Sequence, residues 1–138
     1  MDKSPSTGTD EFEEPVAEHI PQALFFCTDL MFGVQLQNMA RHAGINYSTV
    51  RPGASLPAGD ILIVDMSSRG DWQAAIREAK ALGIKIVAFG PHMDADSRRK
   101  AKGAGASRVL ANSNLGRDLP QIFAELAGKA IGPDDTNI

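Results

Sequence analysis

Apolar and polar positions along this chain fall into blocks whose period changes from one block to the next. Ala23-Leu24-Phe25-Phe26-Cys27, Ile61-Leu62-Ile63-Val64 and Ile84-Lys85-Ile86-Val87-Ala88-Phe89 are short and almost continuously apolar. Runs of this kind read as strands covered on both faces, as in the middle of a parallel sheet. Asn46–Val50 is weaker and alternating, which suits an edge strand, and Ser107–Leu110 is a short further strand. Between the strands the apolar residues recur at helical spacing. Phe32, Leu36, Met39, Ala40 and Ala43 mark one helix face, and Gly44 stops that helix. Trp72, Ala75, Ile76, Ala79 and Leu82 mark a second face, ending at Gly83. Asp94 or Asp96 would cap a third helix that runs to about Ala104. Leu119, Ile122, Phe123, Leu126, Ala127 and Ala130 mark the last helix, after a loop over Ala111–Gly116.

One link breaks the alternation. Arg51 to Gly59 holds two prolines and two glycines, with no room for a regular helix. An extended passage with one turn near Ala54–Leu56 is expected there. Strands alternating with helices give a parallel sheet with helices on both faces. The expected architecture is therefore α/β: a three-layer αβα sandwich on a five-stranded parallel sheet. Right-handed crossovers suggest the strand order 2-1-3-4-5, with the helix between strands 2 and 3 shortened or missing.

Composition changes this picture at the ends of the chain. Residues 1–20 hold six acids and one base, leaving 13 bases and 11 acids in residues 21–138. The net charge of -3 thus belongs to the tail, and the body is slightly basic. Residues 1–20 have few large apolar groups and read as a disordered acidic tail. A short helix over Pro15–Ile20 would be weak, and His19 reads as a solvated residue. Residues 21–131 form one domain, and 132–138 a flexible end. The single cysteine, Cys27, lies in an apolar run and reads as a small core residue in a reducing, cytoplasmic protein. There is no apolar run long enough to span a membrane and no secretory signal.

Candidate chemistry gathers at the strand ends. Asp65 follows Ile61–Val64, at the carboxyl end of the central strand, where open α/β sheets place their ligand groups. The simpler reading is a polar residue that caps the following loop. Asp29 would N-cap the helix from Leu30, or else help hold a metal. His92 is expected on the same rim as Asp65, where the pair would bind a metal or tune a pKa, or where His92 is merely solvated. His42 reads as solvated. Arg98, Arg99, Lys100, Lys102 and Arg108 have no acid among them between Ser97 and Gly116. They form either a solvated face or a contact surface for an acidic partner, with nucleic acid the less favoured partner. No glycine-rich phosphate loop follows strand one, and no Cys/His cluster has metal spacing.

The layout from Ala23 to Ala130 resembles the receiver domain of bacterial response regulators, a flavodoxin-like, CheY-like fold. The residues carrying the likeness are the acid after strand one, Asp65 after strand three, and Gly103-Ala104-Gly105-Ala106 before strand five. Phe26-Cys27-Thr28-Asp29-Leu30-Met31-Phe32 and Ala88-Phe89-Gly90-Pro91-His92-Met93-Asp94 are more closely similar to a stand-alone, receiver-like branch of the family. The resemblance implies that Asp65 matches the phosphoacceptor and that two adjacent acids at the end of strand one would hold Mg²⁺ beside it. Here that region is Cys27-Thr28-Asp29, with one acid, and the count back from Gly44 puts Thr28 at the second acid. Gly90 stands where receivers carry a hydroxyl, and Asn112 where they carry lysine. Asp29 and Asp65 alone make an incomplete Mg²⁺ site, because Mg²⁺ takes several hard oxygens in near-octahedral order.

The expected function is that of a pseudo-receiver: a stand-alone signalling protein without enzymatic activity. It would act by protein–protein contact in a two-component or phosphorelay pathway, with weak phosphorylation or none. Its partner would be a histidine kinase or a downstream effector. The surface would be Arg98, Arg99, Lys102 and Arg108, on the face that receivers use for output. Two alternatives are a working phosphoacceptor at Asp65 and a small-molecule binder at the rim of Thr28, Asp65, Gly90 and Asn112.

Overall fold

The computed structural model describes residues 19–131. The elements follow in the order β1 (Gln22–Phe26), α1 (Leu30–His42), β2 (Asn46–Thr49), β3 (Ile61–Asp65), α2 (Trp72–Ala81), β4 (Lys85–Gly90), α3 (Ala95–Ala104), β5 (Arg108–Ala111) and α4 (Leu115–Ile131). The sheet is parallel throughout, in the order β2-β1-β3-β4-β5. This is the expected doubly wound architecture. The tail over residues 1–18 and the end over 132–138 lie outside the described residues, as does most of the short helix expected at Pro15–Ile20. His19 and Ile20 are described, and they are not helical.

Side-chain parity builds the two cores. Along β1 and β3, Ala23, Phe25, Ile61 and Ile63 face one side and pack with Leu36, Leu119 and Phe123 of α1 and α4. Leu24, Phe26, Leu62 and Val64 face the other side and pack with Ile76, Ala79 and Ala101 of α2 and α3. Both faces are covered, which is why these strands read as unbroken apolar runs.

The link from β2 to β3 carries no helix. It is held by side chains instead. The Leu56 amide donates to Glu78 Oε2 on α2 at 3.0 Å. A Cβ at Gly59 would stand 2.6 Å from Leu24 Cγ, so only glycine lets the link lie this close over β1. Gly70, at φ 95°, likewise passes against the ring of Pro52. Asp60 then clamps the entry to β3: its amide donates to the Gln22 carbonyl, and its Oδ2 accepts from the Gln22 amide, both at 2.8 Å.

Four details depart from expectation. The turn in the link sits at Arg51–Ala54, closed by the Ala54 amide on the Arg51 carbonyl, and not at Ala54–Leu56. Strand β1 ends at Phe26, leaving Cys27 just beyond it. The segment taken as a loop over Ala111–Gly116 is the end of β5, a 3-10 turn at Asn112–Asn114 and the start of α4. Leu82, expected on the buried face of α2, is 58% exposed, because the helix has ended and Leu82 is its C-cap. Of the two caps expected for α3, Asp94 is the one that serves, by accepting from the Ser97 amide.

Candidate functional site

Register decides what surrounds Asp65. Phe26 pairs with Val64, so the next residue on the β1 side is Cys27; on the other side Asp65 pairs with Phe89. Asp65 shares the parity of Ile61 and Ile63 and therefore points toward the layer of α1 and α4. There Phe89 meets Phe32 of α1 edge-on, with ring centroids 5.4 Å apart. Asp65 is 1% exposed. Its Oδ1 accepts from the Ser67 amide at 2.9 Å, and its Oδ2 lies 3.6 Å from the Cys27 thiol, which has the Asp29 carbonyl at 3.5 Å as its other acceptor.

Burial sets the electrostatics. Loss of solvent raises the Asp65 carboxyl above its ordinary range, against the lowering effect of the Ser67 amide and the Cys27 thiol. Burial also pushes the Cys27 thiol up to about 12, and the neighbouring Asp65 carboxylate adds to that. The thiol is thus a neutral donor here and not a thiolate.

The other predicted residues divide. Asp29 is exposed, and its Oδ1 accepts from the Phe32 amide at 2.9 Å, as the N-cap of α1. Thr28 ties two loops together. Its amide donates to Ser68 Oγ and its Oγ1 accepts from the Arg69 amide, both at 3.1 Å. Ser68 is buried and its hydroxyl reaches the Phe26 carbonyl at 3.5 Å. Gly90 is the last residue of β4, and a Cβ there would stand 2.8 Å from Met66 Cε. Methionine thus fills the space next to Gly90. Asn112 opens the 3-10 turn, and its Oδ1 is buried without a hydrogen-bond partner among the described residues.

His92 is not brought to Asp65. It is exposed and lines a groove of about 480 Å³ with Arg98, Ser113 and Asn114 along β5. His42 is exposed, beside a second cavity of about 350 Å³ between α1 and α4. His19 lies 3.3 Å from the Asp60 carboxylate at the opposite end of the sheet. Arg99 forms an ion pair with Asp96 one helical turn before it. Among the described residues no salt bridge involves Arg98, Lys102 or Arg108.

Sequence reasoning missed Ser68 and Met66. Ser68 lies in a polar loop where any serine looks alike. Met66 follows an acid and carries no periodic signal. Cys27, expected in the core, packs partly against the α1/α4 core, and its thiol also faces the carboxylate. Among the described residues no group of three or more His, Cys, Asp or Glu is placed to hold a metal, and no helix is long and apolar enough to cross a membrane.

No family model matches the sequence, and no curated protein matches it. Solved structures do match. One is the receiver domain of the sensor histidine kinase PA1611 from Pseudomonas aeruginosa PAO1, described with magnesium in its active-site cleft. It is 20% identical, with a TM-score of 0.67, over 80% of this chain and 99% of that one. A CheY-like receiver domain protein from Methanospirillum hungatei JF-1 is 12% identical, with a TM-score of 0.67, over 82% and 98%. The phosphorylated cyanobacterial phytochrome response regulator RcpA is 14% identical, with a TM-score of 0.62, over 83% and 96%. At these identities the likeness is one of fold.

Proposed function

We propose that this chain, whose fold is that of response-regulator receivers, is a signalling module that works by binding other proteins, without a phosphoryl group on Asp65. The observation that supports this most is the state of Asp65. It is buried, with one carboxylate oxygen on the Ser67 amide and the other facing the neutral Cys27 thiol, and its register partner Phe89 packs against Phe32.

Phosphoryl transfer to a carboxylate works by positioning and charge neutralisation. Asp65 has Cys27 beside it in place of an acid. Asn112 brings no charge, and Gly90 brings no hydroxyl. The donor set does not fit Mg²⁺, which takes hard oxygens in near-octahedral order. Asp29 spends an oxygen on the helix cap, and a neutral thiol is a poor ligand for a hard cation.

Contact with a partner has its own support. Leu30, Met31 and Val34, in the first two turns of α1, are 85%, 81% and 55% exposed. Positions three and four apart are neighbours on a helix, and large apolar side chains exposed side by side mark protein contact surfaces. A two-component kinase or effector is the partner class that the fold suggests.

The test is incubation of the purified protein with Mg²⁺ and either acetyl phosphate or beryllofluoride. Intact mass should stay unchanged, and amide signals of Asp65, Met66 and Ser67 should not move. A stable acyl phosphate on Asp65 would overturn the proposal in favour of a working phosphoacceptor. Saturable shifts with a metabolite at Thr28, Gly90 and Asn112 would overturn it in favour of a small-molecule binder.

A further inference from the structure

Strand β5 is the last in the sheet, so one side of its backbone has no strand partner. A groove of about 480 Å³ runs along it, lined by His92, Arg98, Val109, Ala111, Ser113 and Asn114. Asp118 also lines the groove, but its carboxylate is engaged by the Arg117 guanidinium at 2.9 Å. Lys102 lies one turn after Arg98 on α3, on the same stripe, and is exposed. Arg108 opens β5 and is exposed as well. These three bases lead from the entry of β5 up into the groove. Among the described residues they take part in no salt bridge, whereas Arg99 has Asp96.

The chain itself holds a complementary stretch. Asp10-Glu11-Phe12-Glu13-Glu14 has four acids in five residues. It ends five residues before His19, whose Nε2 lies 3.3 Å from the Asp60 carboxylate at the same end of the sheet as the entry to β5. From β1 to β5 is three strand spacings, roughly 14 Å. Residues 10–14 reach about 16–30 Å from His19 in extended chain. Length and charge therefore both fit.

We propose that residues 10–14 dock along the open edge of β5, in the groove between α3 and the 3-10 turn, with their carboxylates on Arg98, Lys102 and Arg108. An extended peptide laid on a free strand edge gains main-chain hydrogen bonds, and the flanking charges set its place. The segment then occupies the basic face, and an acidic partner of that face must displace it. This inference does not depend on the state of Asp65.

The test uses the full-length chain, labelled with nitrogen-15. Its amide shifts are compared with those of full-length D10N/E11Q/E13Q/E14Q. Docking predicts differences at Arg98, Lys102, Arg108, Val109 and Ala111, with β1 and β3 unmoved. Raising NaCl from ~50 to ~500 mM should carry the wild-type signals at least halfway to the variant's positions, because exposed charge pairs are screened. The reverse change, R98Q/K102Q/R108Q, should move the amides of residues 10–14 toward their high-salt positions. If that triple variant fails to fold, Lys102→Gln alone, on the helix surface, gives the same reading. Shifts confined to the substituted residues and their sequence neighbours would overturn docking. Wild-type shifts that change with protein concentration would assign the groove to a second copy's segment and overturn docking within one chain.

Discussion

At Asp65 the surroundings of a side chain set its chemistry. Its neighbours are a thiol at 3.6 Å and the Phe89–Phe32 pair, so the charged form loses solvent without gaining a cation. The carboxyl pKa is raised by burial. In the folded state the group therefore holds its proton at pH values where the unfolded chain has already released it. Stability then falls as pH rises from the ordinary carboxylate range through the folded pKa. Asp94 and Asp118 are lowered by their hydrogen bonds and slope the other way, so only a difference isolates Asp65. Asp65→Asn keeps the shape and can still accept from the Ser67 amide. Urea midpoints of the two proteins between pH 4 and 7 should diverge steadily, with the variant the more stable at pH 7. A variant that is less stable at pH 7 would show that the charge is compensated by a group not identified in this site.

At the scale of elements, the link between β2 and β3 is the part that departs most from regular alternation. A helix there would have covered Leu24 and the start of β3 by itself. The link does so with single contacts: Glu78 on the Leu56 amide, Gly59 against Leu24, and Gly70 against Pro52. Leu56 also packs on the core beneath α2 and α3. Such a segment opens more easily than a packed helix, because few contacts must break. Removing the carboxylate with Glu78→Ala should cost about 1.5–3 kcal/mol, the usual range for a hydrogen bond to a charged group. Amide exchange at Leu56 should speed up by about tenfold or more, while β1 and β3 exchange slows or speeds only with global stability. An unchanged Leu56 rate would mean that packing of the Leu56 side chain, and not Glu78, holds the link.

For the whole molecule, one sheet is shared by two cores, and neither layer can leave without baring an apolar face of the strands on which the other layer also packs. Unfolding should therefore be a single cooperative transition, as is usual for domains of this size. Trp72 is the only tryptophan and packs on the α2/α3 core. Its fluorescence should lose its native signal at the same urea concentration as the far-ultraviolet circular dichroism. Separate midpoints would show that the α2/α3 layer comes off first. Neighbouring residues alone specify the strands, the helices, their alternation and the strand whose end carries Asp65. Each of these is a local matter of apolar period, glycine stops and capping acids, written in neighbouring residues. The missing helix is local too, because two prolines and two glycines forbid one between Arg51 and Gly59. Packing in three dimensions puts Cys27 beside Asp65, fills the space at Gly90 with Met66, opens His92 onto the β5 groove and leaves Leu82 in solvent. These depend on register between strands and on where helices stop. A contact between residues 38 positions apart leaves no periodic trace in either stretch of chain.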